Sequence, residues 1–135
     1  EWLNPLMAGG NWMPELVAMA GGISLFGERG KHSPWLKQEQ LEQADPDVIL
    51  LVPCGFAMDQ TLAEVPLLQQ QNWFMQLRAV RNGRCYIADG HQFFNRPGPR
   101  LVESLEILAE ILHDGRIPPT HAGKGWMRLP EIKSP

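Results

Sequence analysis

Short apolar runs and segments of helical periodicity follow one another along the chain. The strongest run, Val48 to Val52, is apolar on both faces, as expected of a strand buried in a parallel sheet. A second strand is predicted from Cys85 to Ala88, and Glu1-Trp2-Leu3 resembles the end of another that Asn4-Pro5 terminates. The segment from Ile23 to Phe26 could form a short strand as well. The pattern therefore supplies three or four short strands for one sheet.

Helices are predicted between these strands. The first runs from Trp12 to Ala20, with Asn11 as its cap and Gly21-Gly22 as its stop. Further helical segments are expected at Lys37 to Ala44, at Asp59 to about Gln71, at Trp73 to Leu77, and from Pro99 onwards. In the last helix, Leu101, Leu105, Leu108 and Leu112 have the spacing of one buried face.

The end of the chain lacks such periodicity. Residues 114–135 contain four prolines and no repeated apolar spacing. We therefore predict two parts, a folded domain over residues 1–113 and an extended, partly disordered tail over residues 114–135.

Alternation of strands and helices predicts the fold class. It indicates an α/β domain, a three-layer αβα Rossmann-like arrangement around a small, mostly parallel sheet. Loops that follow the strands of such a sheet meet at its carboxyl edge, where ligands bind. Four segments should gather there: residues 4–12, 27–35, 53–58 and 89–97.

These four segments are rich in aromatic side chains. They carry Trp12, Trp35, Phe56, Phe93, Phe94, Asn95 and Arg96. Aromatic faces beside a guanidinium suit a flat, partly apolar ligand that bears acidic groups. We therefore predict a ligand-binding surface at this edge.

Each of these residues also has a purely structural interpretation. Trp12, at a helix start, could anchor the helix to the core, whereas Trp35 has little around it that could bury it. Adjacent side chains in an extended segment point in opposite directions, so one of Phe93 and Phe94 should be buried and the other exposed. Arg96 could equally bond a backbone carbonyl or a helix end.

Composition restricts the classes of function. The chain has 135 residues, 44% hydrophobic and 20% charged, which is typical of one globular domain. Its 12 Lys and Arg residues are scattered and its net charge is -3, which argues against nucleic-acid binding. The apolar run Val48 to Val52 is far too short to span a bilayer.

Cysteine and histidine offer little chemistry. Cys54 and Cys85 are predicted to lie roughly 10 Å or more apart on neighbouring strands, beyond the roughly 7 Å that a disulfide tolerates. The four histidines lack metal-ligand spacing, so no metal site is expected. No P-loop, GxSxG or GxGxxG motif occurs in the right context. A small enzyme that uses Cys54 as a nucleophile, with no catalytic partner fixed, remains an alternative function.

The first residues predict that the chain is a piece of a longer one. No basic segment followed by an apolar segment opens it, and Glu1-Trp2-Leu3 begins in mid-strand. We therefore expect the chain to be trimmed, and its start to carry no information on targeting.

Five stretches together resemble the C-terminal lobe of cobalamin and ferric-siderophore binding proteins of ABC importers, the class III periplasmic solute-binding proteins. They occur in the same order and spacing over residues 1 to about 113. They are Glu1 to Pro5, Gly10 to Val17 with Ala20-Gly21-Gly22, Asp45 to Ile49, Pro53-Cys54-Gly55-Phe56, and Phe94 to Val102.

The resemblance implies a ligand, a corrinoid such as vitamin B12 or a ferric siderophore, held between two lobes joined by a rigid helix. It implies that Glu39 docks onto the membrane subunits of the transporter. Ser33 to Trp35 matches a ligand-contacting loop, and Phe93 and Arg96 match the segment that closes the opposite side.

The resemblance also bears on partners and location. The N-terminal lobe is expected to be missing here, and no cofactor beyond the transported ligand is implied. Location would be periplasmic or in the cell envelope, although free thiols would fit the cytoplasm too. A protein–protein module, in which the aromatic edge pairs with another chain, is a further alternative, and so is a dimer of the single lobe.

Overall fold

The structure is a computed structural model, and it describes residues 1–3, 6–53, 55–91, 94 and 101–129. Its strands are β1 Trp2–Leu3, β2 Leu6–Met7, β3 Ile49–Leu51, β4 Cys85–Ala88 and β5 Trp126–Arg128. Its helices are α1 Met13–Met19, α2 Gln38–Ala44, α3 Met58–Gln69, α4 Asn72–Met75, α5 Arg78–Arg81 and α6 Leu101–Leu112.

A three-stranded sheet of order β3-β4-β5 lies at the centre of the domain. β3 and β4 are parallel, with Ile49 opposite Cys85, whereas β4 and β5 are antiparallel. The α/β prediction is confirmed. The sheet is mixed rather than mostly parallel, because its third strand comes from the segment after α6.

Helices cover both faces of this sheet, as the three-layer prediction requires. Side chains alternate along a strand, so β4 contributes to both apolar clusters. Tyr86 and Ala88 pack with α1 and α6, while Cys85 and Ile87 pack with α3 and α4. All four residues of β4 are buried, which makes this strand the centre of the molecule.

The segment predicted as an extended tail instead contributes β5 in its described part. Trp126 is 4% exposed and packs edge-on against Tyr86, with ring centroids 5.6 Å apart. The residues that fix β5 are polar and lie on α6 or just after it: Glu110 accepts from the Trp126 Nε1 and Asp114 accepts from the Arg128 Nε. Apolar periodicity therefore gave no sign of the strand. The domain boundary at His113 stays a prediction.

The first helix is confirmed, but its cap is not the predicted one. Trp12 occupies the N-cap position without a side-chain hydrogen bond, and Asn11 has a left-handed backbone with φ of 55°. The Asn11 backbone pairs with Gly30 and Lys31 instead. On α6 the most buried apolar residues are Ile107, Leu108 and Ile111, so the core face is rotated from the predicted leucine row.

Candidate functional site

Two of the four predicted edge segments form one backbone-paired unit. The N–H of Ala8 donates to the carbonyl of Pro34 over 2.9 Å, and that of Leu36 donates to Leu6 over 2.9 Å. Further along, the N–H of Asn11 donates to Lys31 over 2.6 Å. The segment leading into α1 therefore holds the loop that carries Trp35.

Close approach within this unit requires glycine at position 10. A Cβ there would lie 2.6 Å from the Ser33 Cα. The Gly10 N–H donates to the Ser33 hydroxyl over 3.1 Å, and that hydroxyl donates to the Glu1 carboxylate. Ser33 thus has a structural role in joining the two segments.

The other two segments follow β3 and β4 and meet in the same way. The N–H groups of Gly90 and His91 both donate to the carbonyl of Phe56, over 2.8 and 3.1 Å. A Cβ on Gly90 would lie 2.2 Å from the Pro53 carbonyl oxygen, so only glycine allows this approach.

Aromatic side chains join the two units at the carboxyl edge. Trp2 packs edge-on against Phe56, with ring centroids 5.2 Å apart. Trp12 and Phe94 line a small cavity of about 30 Å³ together with Glu1 and Val52. The described parts of the four segments therefore lie together, as the topology predicted.

The predicted ligand residues differ in how much surface they offer. Trp35 is 62% exposed and projects from the paired loop. Phe56 is half-buried against Trp2, and Trp12 is half-buried against the core. The Trp12 Nε1 atom is buried and has no hydrogen-bond partner among the described residues. Among the predicted aromatic contacts that the structure describes, Trp35 is thus the most accessible.

Several predicted residues lie outside the described part of the chain: Phe93, Asn95, Arg96 and the candidate nucleophile Cys54. Phe94, their described neighbour, is 7% exposed and belongs to the core. Sequence reasoning missed Trp2 and Glu1 as contributors to this edge. Their signal was an acid and an aromatic residue in the first two positions of the predicted strand that Asn4-Pro5 terminates.

Glu39 follows the loop that carries Trp35, in the first turn of α2. Its side chain is exposed, as are those of its neighbours Gln38 and Gln40. Glu42 is exposed one turn later on the same helix. Glu39 is therefore free of the core and available to a partner surface.

The described residues offer no reactive thiol or metal cluster. Burial raises the pKa of the Cys85 thiol to about 12, so it is protonated at neutral pH. Three His, Cys, Asp or Glu side chains never converge in metal-binding geometry within the ranges given above. Nor does any helix in those ranges have the length and apolar character needed to cross a membrane.

Known proteins give two kinds of match, although no protein-family profile matches the chain. The vitamin B12-binding proteins of three Vibrio cholerae serotype O1 strains are 26% identical over 106 residues, which is 78% of this chain. The chain spans only 35% of the length of those relatives.

A solved structure shows the same fold. The TroA-like periplasmic binding protein FepB from Veillonella parvula superimposes with a TM-score of 0.58 at 20% identity. The alignment covers 82% of this chain and 35% of that protein. Together the matches confirm the resemblance predicted from the five sequence stretches: the chain has the fold of a lobe of such binding proteins and is distantly related to them in sequence.

Proposed function

We propose that this chain is one lobe of a solute-binding protein of an ABC importer. Its carboxyl edge supplies half of a cleft that holds a corrinoid or a ferric siderophore. The observation that carries the proposal is the gathering of the edge loops around accessible aromatic residues, with Trp35 projecting to solvent. The distant relatives named for vitamin B12 binding support the same class of ligand.

The surface suits binding rather than catalysis. A flat aromatic face stacks on a macrocycle or an aromatic chelator without chemistry. The described thiol, Cys85, is not an activated nucleophile, because it is buried and protonated. Alkylation at neutral pH tests the competing proposal of a Cys54 enzyme, which requires a thiol that reacts faster than free cysteine.

Calorimetric titration of a two-lobed protein that contains this chain tests the ligand. We expect cobalamin, cobinamide or a ferric siderophore to bind at micromolar concentration or below. Trp35→Ala should weaken binding about 10-fold or more, through loss of stacking area. The matched control is Leu67→Ala, a similarly exposed apolar residue on α3. Absence of binding by all three ligands would contradict the proposal.

The single chain should bind the same ligand much more weakly. Half of the contact surface lies on the other lobe in this proposal, so we expect at least an approximately 100-fold loss of affinity. Equal affinity for the single chain and the two-lobed protein would show that the cleft is not shared.

Glu39 is proposed to dock onto the membrane subunits of the transporter. An exposed carboxylate at the start of a helix can pair with a cationic partner without rearranging the core. Glu39→Arg should reduce transport and leave ligand affinity unchanged. Glu42→Arg, an equal change of charge one turn away, should reduce transport less. Equal effects of the two substitutions would show that only net charge matters.

A periplasmic location follows from this role and is part of the proposal. The FepB structure is that of a periplasmic protein. Fractionation of cells that express the full-length protein tests the location. Recovery with cytoplasmic markers would contradict it.

A further inference from the structure

The buried indole nitrogen of Trp12 has no hydrogen-bond partner in the part of the chain that the structure describes. A buried Trp N–H normally finds an acceptor, because leaving the donor unpaired costs free energy. Trp126 shows the usual arrangement, since its Nε1 donates to the Glu110 carboxylate over 3.1 Å. The donor of Trp12 therefore needs an acceptor that the described residues do not supply.

The ring of Trp12 is held in a fixed position. Its backbone occupies the N-cap of α1, and its side chain packs against the apolar cluster that α1 shares with α6. The residue before it, Asn11, is fixed as well, because its carbonyl accepts from the Gly30 N–H over 3.0 Å. The indole donor is therefore preorganised for an acceptor at one place.

A small cavity lies beside this ring at the carboxyl edge of the sheet. Its volume is about 30 Å³, which exceeds the roughly 10–15 Å³ that one water molecule requires. Val52 and Phe94 form apolar parts of its wall, and Glu1 and Asn11 bring polar side chains to it. The cavity therefore admits one small polar group and is too small for a ring.

The side chains around the cavity offer both donors and acceptors. The Glu1 carboxylate accepts from the Ser33 hydroxyl, and a carboxylate can accept from several donors at once. Trp12 only donates, and the side-chain amide of Asn11 can do either. No Lys or Arg is among the described residues that line the cavity. A second carboxylate would meet the charge of Glu1 without a cation there, whereas a neutral group with both N–H and C=O suits the cavity.

We propose that the cavity is a subsite for one primary amide of the ligand. The Trp12 Nε1 donates to the amide carbonyl, and the Glu1 carboxylate accepts from the amide NH₂. This inference rests on the proposed function and narrows the ligand to an amide-bearing corrinoid, because primary amides surround the corrin ring of cobalamin and cobinamide. The ring itself stays outside the cavity, on the side where Trp35 is exposed.

Such a subsite makes Trp12 and Glu1 specificity-determining residues. A site that hydrogen-bonds a ligand group rejects analogues that leave its own polar groups unpaired. A ligand with a carboxylate at this position also brings a like charge next to Glu1. The subsite therefore favours corrinoids with intact amides over acidic iron chelates.

Calorimetric titration of a two-lobed protein that contains this chain tests the subsite with two corrinoids. Cobinamide carries the ring amides, and cobyrinic acid carries carboxylates in their place. The natural protein should bind cobinamide at least about 10-fold more tightly than cobyrinic acid. Trp12→Phe keeps an aromatic ring but removes the N–H. It should weaken cobinamide binding about 10-fold and change cobyrinic acid binding by less than about 2-fold.

Thermal unfolding of the ligand-free protein separates recognition from a structural role. Because the N–H has no described partner, Trp12→Phe should leave Tm unchanged or raise it. Trp73→Phe is the matched control, since Trp73 is half-buried on α4 and packs edge-on against Phe74, with ring centroids 5.9 Å apart. It should change the affinity for either corrinoid by less than about 2-fold.

Glu1→Gln tests the acceptor side of the subsite and does not depend on the Trp12 variant. Glutamine keeps an acceptor for the Ser33 hydroxyl and removes the negative charge. The preference for cobinamide over cobyrinic acid should fall at least about 5-fold. An unchanged preference would show that Glu1 does not face the ligand and would overturn the proposal.

Other outcomes overturn the subsite in distinguishable ways. Unchanged cobinamide affinity in Trp12→Phe would show that the indole N–H serves only water. A fall in Tm of more than about 5 °C would show that it has a partner within the protein. Binding of a ferric siderophore but of neither corrinoid would overturn the subsite and leave the proposed function intact. Failure of all these ligands to bind would overturn both.

Discussion

The two edges of the central sheet are finished in different ways. At the β5 edge, a segment without apolar periodicity is held in place by buried polar side chains. At the β3 edge, a groove lined by apolar side chains holds no strand among the described residues. The comparison teaches that buried polar side chains fix the position at which a short strand packs. Apolar surface alone favours burial but does not fix the position of the segment that buries it.

Glu110 of α6 is the main anchor of the β5 edge. It is 4% exposed and accepts hydrogen bonds from the Thr120 hydroxyl, the His121 N–H and the Trp126 Nε1, over 3.1, 2.8 and 3.1 Å. A buried carboxylate is costly unless such donors satisfy it. Glu110 therefore selects one position for the segment that leads into β5.

Removing the closed edge should have the largest effect. A chain of residues 1–113 loses β5 and the buried Trp126 ring, and it leaves β4 without a partner on that side. We expect it to lose cooperative thermal unfolding, as followed by circular dichroism, and to aggregate through the new edge.

A chain of residues 1–129 keeps β5 and is the matched control, which should unfold cooperatively. A chain of residues 1–113 with the same Tm as this control would place the domain boundary at His113 after all. It would also show that the two edges are equally dispensable.

Glu110→Ala should have the next largest effect. It leaves three donors without their acceptor, so we expect a loss of about 2–4 kcal/mol in the free energy of unfolding. Urea titration measures it. Glu106→Ala is the control on the same helix, since Glu106 is half exposed and contacts His121 at 3.1 Å. Glu106→Ala should lower the free energy of unfolding by less than about 1 kcal/mol. Equal losses for the two substitutions would show that Glu110 is not the main anchor of β5.

The contrast also explains which elements the sequence predicts. β3, β4 and α1 can be predicted from the sequence because uniform apolar runs and helical spacing are direct consequences of burial. β5 has three residues, and its position depends on Glu110, sixteen residues before Trp126. The available signal was a charged residue in the stretch from Ile107 to Leu112, which is otherwise apolar. A buried carboxylate must have partners nearby.

At the candidate site, too, the sequence predicts the general arrangement of the loops but not their individual contacts. Topology predicts that the loops after parallel strands gather at one edge, and the structure brings the described parts of them together. Individual side-chain contacts cannot be predicted from the pattern of apolar and polar residues, because they depend on distances in the folded structure. Ser33 bonds Gly10 and Glu1, so its hydroxyl is already engaged. Trp2 of β1 packs edge-on against Phe56, which lies in the loop that follows β3.

Asp114→Asn tests the second anchor of the β5 edge. The Tyr86 hydroxyl and the Arg128 Nε each donate to Asp114 over 2.9 Å. Burial alone would raise the pKa of Asp114, but these hydrogen bonds hold it below the ordinary value. The substitution should cost about 1–2 kcal/mol in the free energy of unfolding at pH 7.

The pH dependence of this cost has a definite sign. A carboxyl whose pKa is lower in the folded state stabilises fully above its unfolded pKa, about 3.9, and loses that contribution as pH falls through the folded pKa. Urea titrations at pH 7 and pH 3 should therefore show the difference between the natural chain and Asp114→Asn shrinking in acid. Asp47→Asn, at an exposed ion pair, should cost less than about 1 kcal/mol at both pH values.

Ile23→Ser should have the smallest effect and decides whether the β3 edge is open in the chain of 135 residues. Ile23 is 86% exposed and lines the groove beside β3, so little apolar area is lost and the free energy of unfolding should change by less than about 0.5 kcal/mol. A urea titration that instead shows a loss above about 1.5 kcal/mol would mean that Ile23 is packed in solution. The groove would then already be closed. Both edges of the sheet would be covered, and they would differ only in the kind of side chains that cover them.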